Sequence, residues 1–285
     1  MPCHLPPRPQ RFRVRSYRAD SMMKAMTERH DEFWNQRLAD DWSESGVGYR
    51  ALGRPFNNWM YRVRRHVFTH EAAALAPDLQ TSVLDVGSGT GLYLDWWHAV
   101  GAGQVTGSDL TPAAVEKLRV HHAPVPIEQL DITAGHGPFP PGSFDIVSCM
   151  DVLFHITDDD LYRCALANIA TLLRPGGRFV FTENFLNRPA DRSEHQVNRT
   201  REWITQTLAE QGLRLTRRTP MLVLMNAQVD APRWWRKGWG GLLRAVTLHP
   251  ASGWVAGAGL YPLERVLTRT KTESPTTELA VAERL

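Results

Sequence analysis

Three glycines at alternate positions, Gly87, Gly89 and Gly91, follow an acid, Asp85, that closes an apolar run in "VLDVGSGTGLYLDWW" (83–97). Glycine lets a backbone come close to a ligand, and a helix starting at such a turn aims its first N–H groups at a negative group. Taken alone the turn is a weak signal, and a purely structural turn is the alternative. The spacing argues against a nicotinamide or flavin fingerprint, which needs glycine at the sixth position, where this chain has Leu92. No Gly-Lys-Ser/Thr phosphate loop is present. Two acids follow at workable offsets. Asp109 in "VTGSDLT" ends the second apolar run, where it can accept hydrogen bonds from a ribose diol, and Asp131 in "EQLDIT" ends the third, within reach of an adenine amino group. Either acid could instead serve only as a strand-end or turn residue.

These residues need elements to hold them, and the pattern from Thr81 onward supplies a repeated strand and helix alternation. "SVLDV", a helix over 91–100, "QVTGSD", a helix over 112–121, "VPIEQLD", "FDIVSCM", a helix over 158–173 and "GRFVFTE" succeed one another. Such alternation predicts an α/β fold, a mostly parallel sheet covered by helices on both faces. The helix over 158–173 presents Leu161, Ala165, Ile169, Leu172 and Leu173 on one side, its "DDD" suits the positive end of the dipole, and "RPGG" stops it. A helix over 199–211, strand-like "LRLTRRTPMLVLMN" and a last strand "TELAVAE" (277–283) complete the run. Upstream, 28–41 and 55–76 read as helices; the second carries Phe56, Trp59, Met60, Val63, Val67 and Phe68 near helical spacing, with Arg62, Arg64 and Arg65 between them.

At this point the chain resembles the class I S-adenosylmethionine-dependent methyltransferases of the small-molecule type. Their glycine motif is matched by "LDVGSGTG", their ribose acid by Asp109, their adenine-edge acid by Asp131, their fourth-strand motif by "FDIVSCMDVLFHI" and their fifth by "LLRPGGRFVFTE". The resemblance covers residues 81–183. It implies a doubly wound, Rossmann-like, seven-stranded sheet whose last strand, "TELAVAE", runs antiparallel. It also implies S-adenosyl-L-methionine as the cofactor, with Gly87 and Gly89 packed on the methionine portion and Asp85 orienting its amino group through the turn. Met150 would offer backbone to the cofactor, and Ser88, Gly91, Leu110 and Ile132 complete the implied cofactor site. A carboxylate and a sulfonium in place of a pyrophosphate suit the smaller glycine turn.

A sulfonium is already a strong electrophile, so the protein mainly has to align acceptor, methyl and sulfur while excluding water. A hydroxyl acceptor needs in addition a base for its proton. Candidates near the strand ends are Asp151, His155, Glu183 and His195; His155 and Glu183 are expected at the cleft edge, and His195 in the polar loop "NRPADRSEHQVNR". A structural or surface role is open for each. The Asn/Asp-Pro-Pro-aromatic loop of base-amine methylation is replaced by "MDVLF", and the one Pro-Cys pair, Pro2 and Cys3, lies in the tail. This argues against nucleic acid and leaves a small-molecule, glycan or lipid-linked acceptor, most simply a hydroxyl. The alternative is a catalytically silent protein of the same fold, acting as a binding or membrane-association module.

The 285 residues divide into a disordered basic tail (1–25), a helical cap (26–80), the cofactor-binding core (81–226), a helical insertion (227–276) and the final strand (277–285). The tail carries five arginines before Asp20 and no apolar h-region, which argues against a secretory signal; Met22, Met23 and Met26 offer later starts. Three cysteines without Cys-x-x-C spacing speak against a disulfide framework or a metal site and fit a cytoplasmic protein. The formal charge of +3 does not call for a polyanion. Within the insertion, four of the ten tryptophans occur, and seven basic residues face one acid over 233–271, a local excess of +6. "APRWWRKGWGGLLRAV" sets Trp235, Trp239, Leu242 and Val246 on one stripe, although Gly240 and Gly241 weaken a helix. Peripheral contact with an anionic membrane through 232–271 is one reading; cover for a sheet edge or a dimer partner is the other. The insertion is also expected to close over or beside the acceptor pocket.

Overall fold

The computed structural model describes Trp42, residues 49–193 and residues 195–285. The tail and the helix expected over 28–41 lie outside the described residues. In chain order the elements are α1 (Gly53–Ala73), β1 (Ser82–Val86), α2 (Leu92–Ala99), β2 (Gln104–Asp109), α3 (Pro112–His121), β3 (Ile127–Gln129) and β4 (Phe144–Cys149). They continue with α4 (Asp159–Leu172), β5 (Leu173–Glu183), the short strands β6 (Asp191–Arg192) and β7 (Val197–Asn198), α5 (Arg201–Glu210), β8 (Leu213–Pro220), α6 (Arg233–Thr247), α7 (Pro250–Thr270) and β9 (Glu278–Arg284).

Seven strands form one sheet in the order β3-β2-β1-β4-β5-β9-β8, and β9 pairs antiparallel with both of its neighbours. This is the α/β, doubly wound, mostly parallel sheet with a reversed last strand that the alternation and the resemblance imply. All five residues of β1 are buried, as a strand covered on both faces requires. Side chains alternate between two cores. Val180 of β5 joins Phe56, Phe68 and Trp97 under α1 and α2, while its neighbours Phe179 and Phe181 join Leu84, Val147 and Ile169 under α4 and α5. Asp158 caps α4, its carboxylate accepting from the N–H groups of Asp160 and Leu161 at 2.8 and 2.9 Å.

Two local readings of the sequence need correction. "RPGG" does not form a separate stop: α4 ends at Leu172 and the chain passes at once into β5, whose pairing with β4 shifts register between Phe144 and Ile146. "MLVLMN" does not extend β8. The N–H groups of Val223, Leu224 and Met225 donate to the buried Glu264 carboxylate of α7, so these apolar residues turn out of the sheet, and Val223 and Met225 still bury their side chains. The insertion is helical despite its glycines, and α7 packs along α1, where the Trp59 ring lies 5.7 Å from Trp254 and 5.3 Å from Tyr261.

Candidate active site

A cavity of about 430 Å³ opens at the carboxyl ends of the strands, where the order reverses between β1 and β4. Open α/β sheets hold ligands at this place because the two neighbouring connections leave on opposite faces. One wall is the β1–α2 turn. Gly87 there has φ +73°, and a Cβ at that position would lie 2.3 Å from Cγ2 of Val152 on the opposite wall. Gly91 has φ +85°, and a Cβ there would lie 2.1 Å from the His122 ring, so this glycine seats the turn against the end of α3. Val86 to Thr90, Leu92 and Tyr93 contribute to the cavity wall; Gly91 does not.

The acid at the end of β2 is built into that turn. Asp109 is buried, and its Oδ2 accepts from Gly89 N–H at 3.0 Å while Oδ1 accepts from both Thr111 N–H and Thr111 Oγ1 at 3.0 Å. Burial pushes its carboxyl up from the ordinary value, against these donors. Asp131 lies past the end of β3, its Oδ1 held by Thr133 N–H at 2.8 Å and Oγ1 at 2.7 Å. Leu110, Leu130, Ile132 and Met150 supply apolar surface beside them. Gly87, Ser88, Gly89, Asp109, Leu110, Asp131, Ile132 and Met150 thus all border one cavity.

Asp85 does not line the cavity itself. It is buried behind the turn; Ser148 Oγ donates to its Oδ1 at 2.5 Å, and its backbone carbonyl accepts from Ser88 Oγ and Ser108 Oγ. Burial pushes the carboxyl up to about 7, with the Asp109 charge adding to the effect. Its part is to hold the turn from below.

The far end of the cavity is assembled from remote segments. Tyr61 of α1 and Tyr93 of α2 face Asp151, Val152 and His155 after β4, and Arg192, Ser193 and Val197 of the β6–β7 hairpin complete the rim. Asp151 has φ +60°, a conformation costly for a residue with a side chain. Thr182 pins it: the Asp151 N–H donates to Thr182 Oγ1 at 2.6 Å, and that hydroxyl donates to Asp151 Oδ1 at 3.0 Å. Arg64, buried in α1, forms an ion pair with Asp151 Oδ2. Burial alone would disfavour the Arg64 charge, and the Asp151 carboxylate together with the Tyr93 and Tyr61 hydroxyls more than offsets it.

The three candidate bases other than Asp151 separate. His155 borders the cavity, and its Nδ1 lies 2.8 Å from the backbone carbonyl of His195. A carbonyl can only accept, so Nδ1 carries a proton, and in the neutral ring Nε2 holds the lone pair. His195 contributes to this contact through its main chain, and its imidazole does not border the cavity. Glu183 does not reach the cleft edge. Strand side chains alternate, so Thr182 points to Asp151 while Glu183 points into the other core, where Tyr162 Oη donates to it at 3.2 Å and Asn184 N–H donates at the same distance. Burial pushes the Glu183 carboxyl up to about 7.

The insertion contributes no residue to the cavity wall, so of the two expected placements, over or beside the pocket, it does not lie over it. It touches the rim indirectly. Arg236 of α6 pairs with Asp191 of the hairpin at 2.8 Å, and Asn187 Nδ2 donates to Asp230 at 3.1 Å. Sequence reasoning missed Tyr61, Tyr93, Arg64 and the hairpin residues. Arg64 left one readable trace, since it falls four residues after Met60 and three before Val67 on the buried stripe of α1.

Comparison with known proteins agrees with this geometry. Residues 84–181 match the family model described as a methyltransferase domain. These residues are a class I S-adenosylmethionine-dependent methyltransferase domain. The chain is 37% identical over 119 residues to the ubiquinone biosynthesis O-methyltransferase of Albidiferax ferrireducens, covering 40% of this chain and 44% of that protein. To the enzyme of the same name from Thiobacillus denitrificans it is 37% identical over 122 residues, covering 40% and 48%. The match therefore spans less than half the length of these relatives. Among solved structures, an S-adenosylmethionine-dependent methyltransferase from Leishmania major superposes with a TM-score of 0.55 at 19% identity, over 68% of this chain and 75% of that one. The [4+2]-cyclase SpnF superposes with a TM-score of 0.50 at 19% identity, over 76% and 79%. A shared fold does not by itself fix the reaction.

S-adenosylmethionine is the cofactor of the domain, and the cradle fits it. The close approach of Gly87 to Val152 leaves no room for a side chain, and Asp109 and Asp131 border the same cavity as acceptors for donors of the nucleoside. Among the described residues no group of three His, Cys, Asp or Glu side chains could hold a metal ion.

Proposed function

We propose that the protein transfers a methyl group from S-adenosylmethionine to a hydroxyl of a small-molecule acceptor bound between Tyr61, Tyr93 and the β6–β7 hairpin. The observation that carries this reading is His155, which borders the acceptor end of the cavity with its Nδ1 proton committed to the His195 carbonyl. The names of the curated relatives, O-methyltransferases of ubiquinone biosynthesis, support oxygen as the acceptor atom.

When bound, S-adenosylmethionine supplies a methyl group on a positively charged sulfur. The β1–α2 turn, Asp109 and Asp131 hold the nucleoside and amino-acid portions, and Met150 and Val152 close the opposite wall. His155 Nε2 takes the proton of the acceptor hydroxyl, because an uncharged hydroxyl is a weak nucleophile and a nearby base of matched pKa raises its reactivity. Asp151 is committed to Arg64 and Thr182, so it shapes the floor and does not serve as the base. The mainly apolar wall excludes water, which favours alignment of the reacting atoms.

The test is methyl transfer from isotopically labelled S-adenosylmethionine to a panel of catechols and other hydroxylated small molecules, read by mass. A methyl ether product supports the reading, and methylation at nitrogen or carbon replaces it. Cofactor binding without transfer to any acceptor or cell extract would return the chain to the silent-module alternative.

A further inference from the structure

The two insertion helices, α6 and α7, have an outer surface that no described residue covers. On α6, Trp234 is 74% exposed and Leu248, just past its end, 85%, and the small residues Gly238, Gly241 and Ala245 continue the same stripe between them. Leu242 lies exposed beside it. On α7, Trp254 is 55% and Val255 64% exposed, followed by Leu263 and Val266. An apolar surface of this extent on a soluble chain marks an interaction site.

Its charge says what kind. Arg233, Lys237 and Arg244 recur along one edge of α6, and Arg265 and Arg269 stand on α7. Neither helix exposes an acid: α6 has none, and the one acid of α7, Glu264, is buried against the loop 223–225. Arg233, Lys237, Arg265 and Arg269 form no ion pair with a carboxylate among the described residues. Arg265 and Arg269 instead crowd the His66 ring of α1, at 3.2 and 2.8 Å. Partial burial and the charges of those two arginines push the His66 pKa down, a sign of unneutralised positive charge at this place.

We infer that the outer face of α6 and α7 docks on an anionic lipid surface, with the tryptophans and aliphatic side chains in the interfacial region and the basic edge against the headgroups. A helix lying in an interface has this pattern, an apolar stripe bordered by Lys and Arg, and tryptophan favours the interfacial layer. A second copy of the chain fits less well, because a two-fold contact would set one cationic face against another. A nucleic acid would leave the apolar stripe without a partner. No helix among the described residues is long and apolar enough to cross a membrane, so contact through this face would be peripheral. The Arg236–Asp191 pair ties the docking helix to the hairpin that rims the cavity.

The experiment is flotation of the full chain with vesicles of equal parts phosphatidylglycerol and phosphatidylcholine, and with phosphatidylcholine alone. It needs no methyl acceptor and stands apart from the test of the reaction. Binding to the anionic vesicles alone, weakened by high salt, is expected. Arg233→Glu with Lys237→Glu should lower the bound fraction by more than about tenfold, as loss and reversal of headgroup attraction at two positions implies. Trp234→Ser with Val255→Ser should lower it as well, with unchanged melting temperature for both variants, since all four side chains are exposed. Equal binding to both vesicle types, no binding to either, or binding indifferent to both double variants would overturn the inference. So would a concentration-dependent dimer that the Trp234 variant abolishes, or a soluble acidic protein that competes the chain off the anionic vesicles and binds the same face more tightly.

Discussion

The two ends of the cavity are made in different ways. The cofactor end comes from the carboxyl tips of β1, β2 and β3, three consecutive strands, and much of its recognition is backbone: the Gly87–Gly91 turn, the Gly89 N–H on Asp109, and the Thr111 and Thr133 turns that fix the acids. The far end, where we propose the acceptor binds, is made of side chains from α1, α2, the segment after β4 and the β6–β7 hairpin, drawn from positions 61 to 197 of the sequence and held by ion pairs and one strained residue. A strand-end turn is set by local geometry, whereas a wall gathered from four segments depends on how those segments pack. Substitutions at the first end should therefore act on cofactor affinity, and substitutions at the second on turnover.

The largest effect expected is at the acceptor end. His155→Ala should lower kcat by about 10²- to 10⁴-fold, the usual contribution of a positioned base, with cofactor affinity nearly unchanged. Equal losses in turnover and in cofactor binding would break the division between the two ends. Next comes Gly87→Ala, which must relieve both φ +73° and the approach to Val152. Strain of about 1–3 kcal/mol is expected to appear as lost cofactor affinity and a lowered melting temperature. Asp109→Ala should weaken the cofactor by about 1.5–3 kcal/mol, the range for hydrogen bonds to a charged group, in calorimetric titration. Unchanged affinity there would remove Asp109 from the cofactor site.

A smaller effect concerns the core behind the acceptor end. Glu183, ordinarily near 4.5, is pushed up to about 7 by burial, so the folded chain holds its proton more tightly than the unfolded one. The stability this group contributes is full below about pH 4.5 and is lost as the pH rises through about 7. Glu183→Gln should flatten that loss, so that melting temperatures at pH 5 and pH 8 draw together by several degrees, with about 1 kcal/mol worth ~2–4 °C at this size. Asp85, also near 7, retains its own share of the slope. The smallest expected effect is that of Arg236→Ala. A partly exposed pair is worth about 0–1 kcal/mol, so stability should hardly change, and any effect should fall on the acceptor KM through the hairpin and leave cofactor affinity alone.

The sequence by itself determined the order of strands and helices along the chain, the glycine turn and the two strand-end acids, because each rests on a short-range pattern: alternation, helical spacing, or a turn that tolerates only glycine; the reversal of the last strand followed only from the family resemblance. It also marked His155, since the residues after β4 stand at the switch point in any sheet of this order. Which face each side chain takes was settled only by the tertiary structure. Thr182 and Glu183 are adjacent, and one residue of parity sends the hydroxyl to Asp151 and the carboxylate into the opposite core. Asp85 is one residue from a cavity-wall position, at Val86, and lies beneath the turn for the same reason. Arg64 follows the helical period of a buried residue, yet its partner stands 87 residues away and is brought to it only when α1 packs across the strand ends. The insertion shows the same limit: its tryptophans and arginines were legible as an amphipathic pattern, but its packing on α1 and its distance from the cavity wall follow from long-range contacts, which local spacing does not encode.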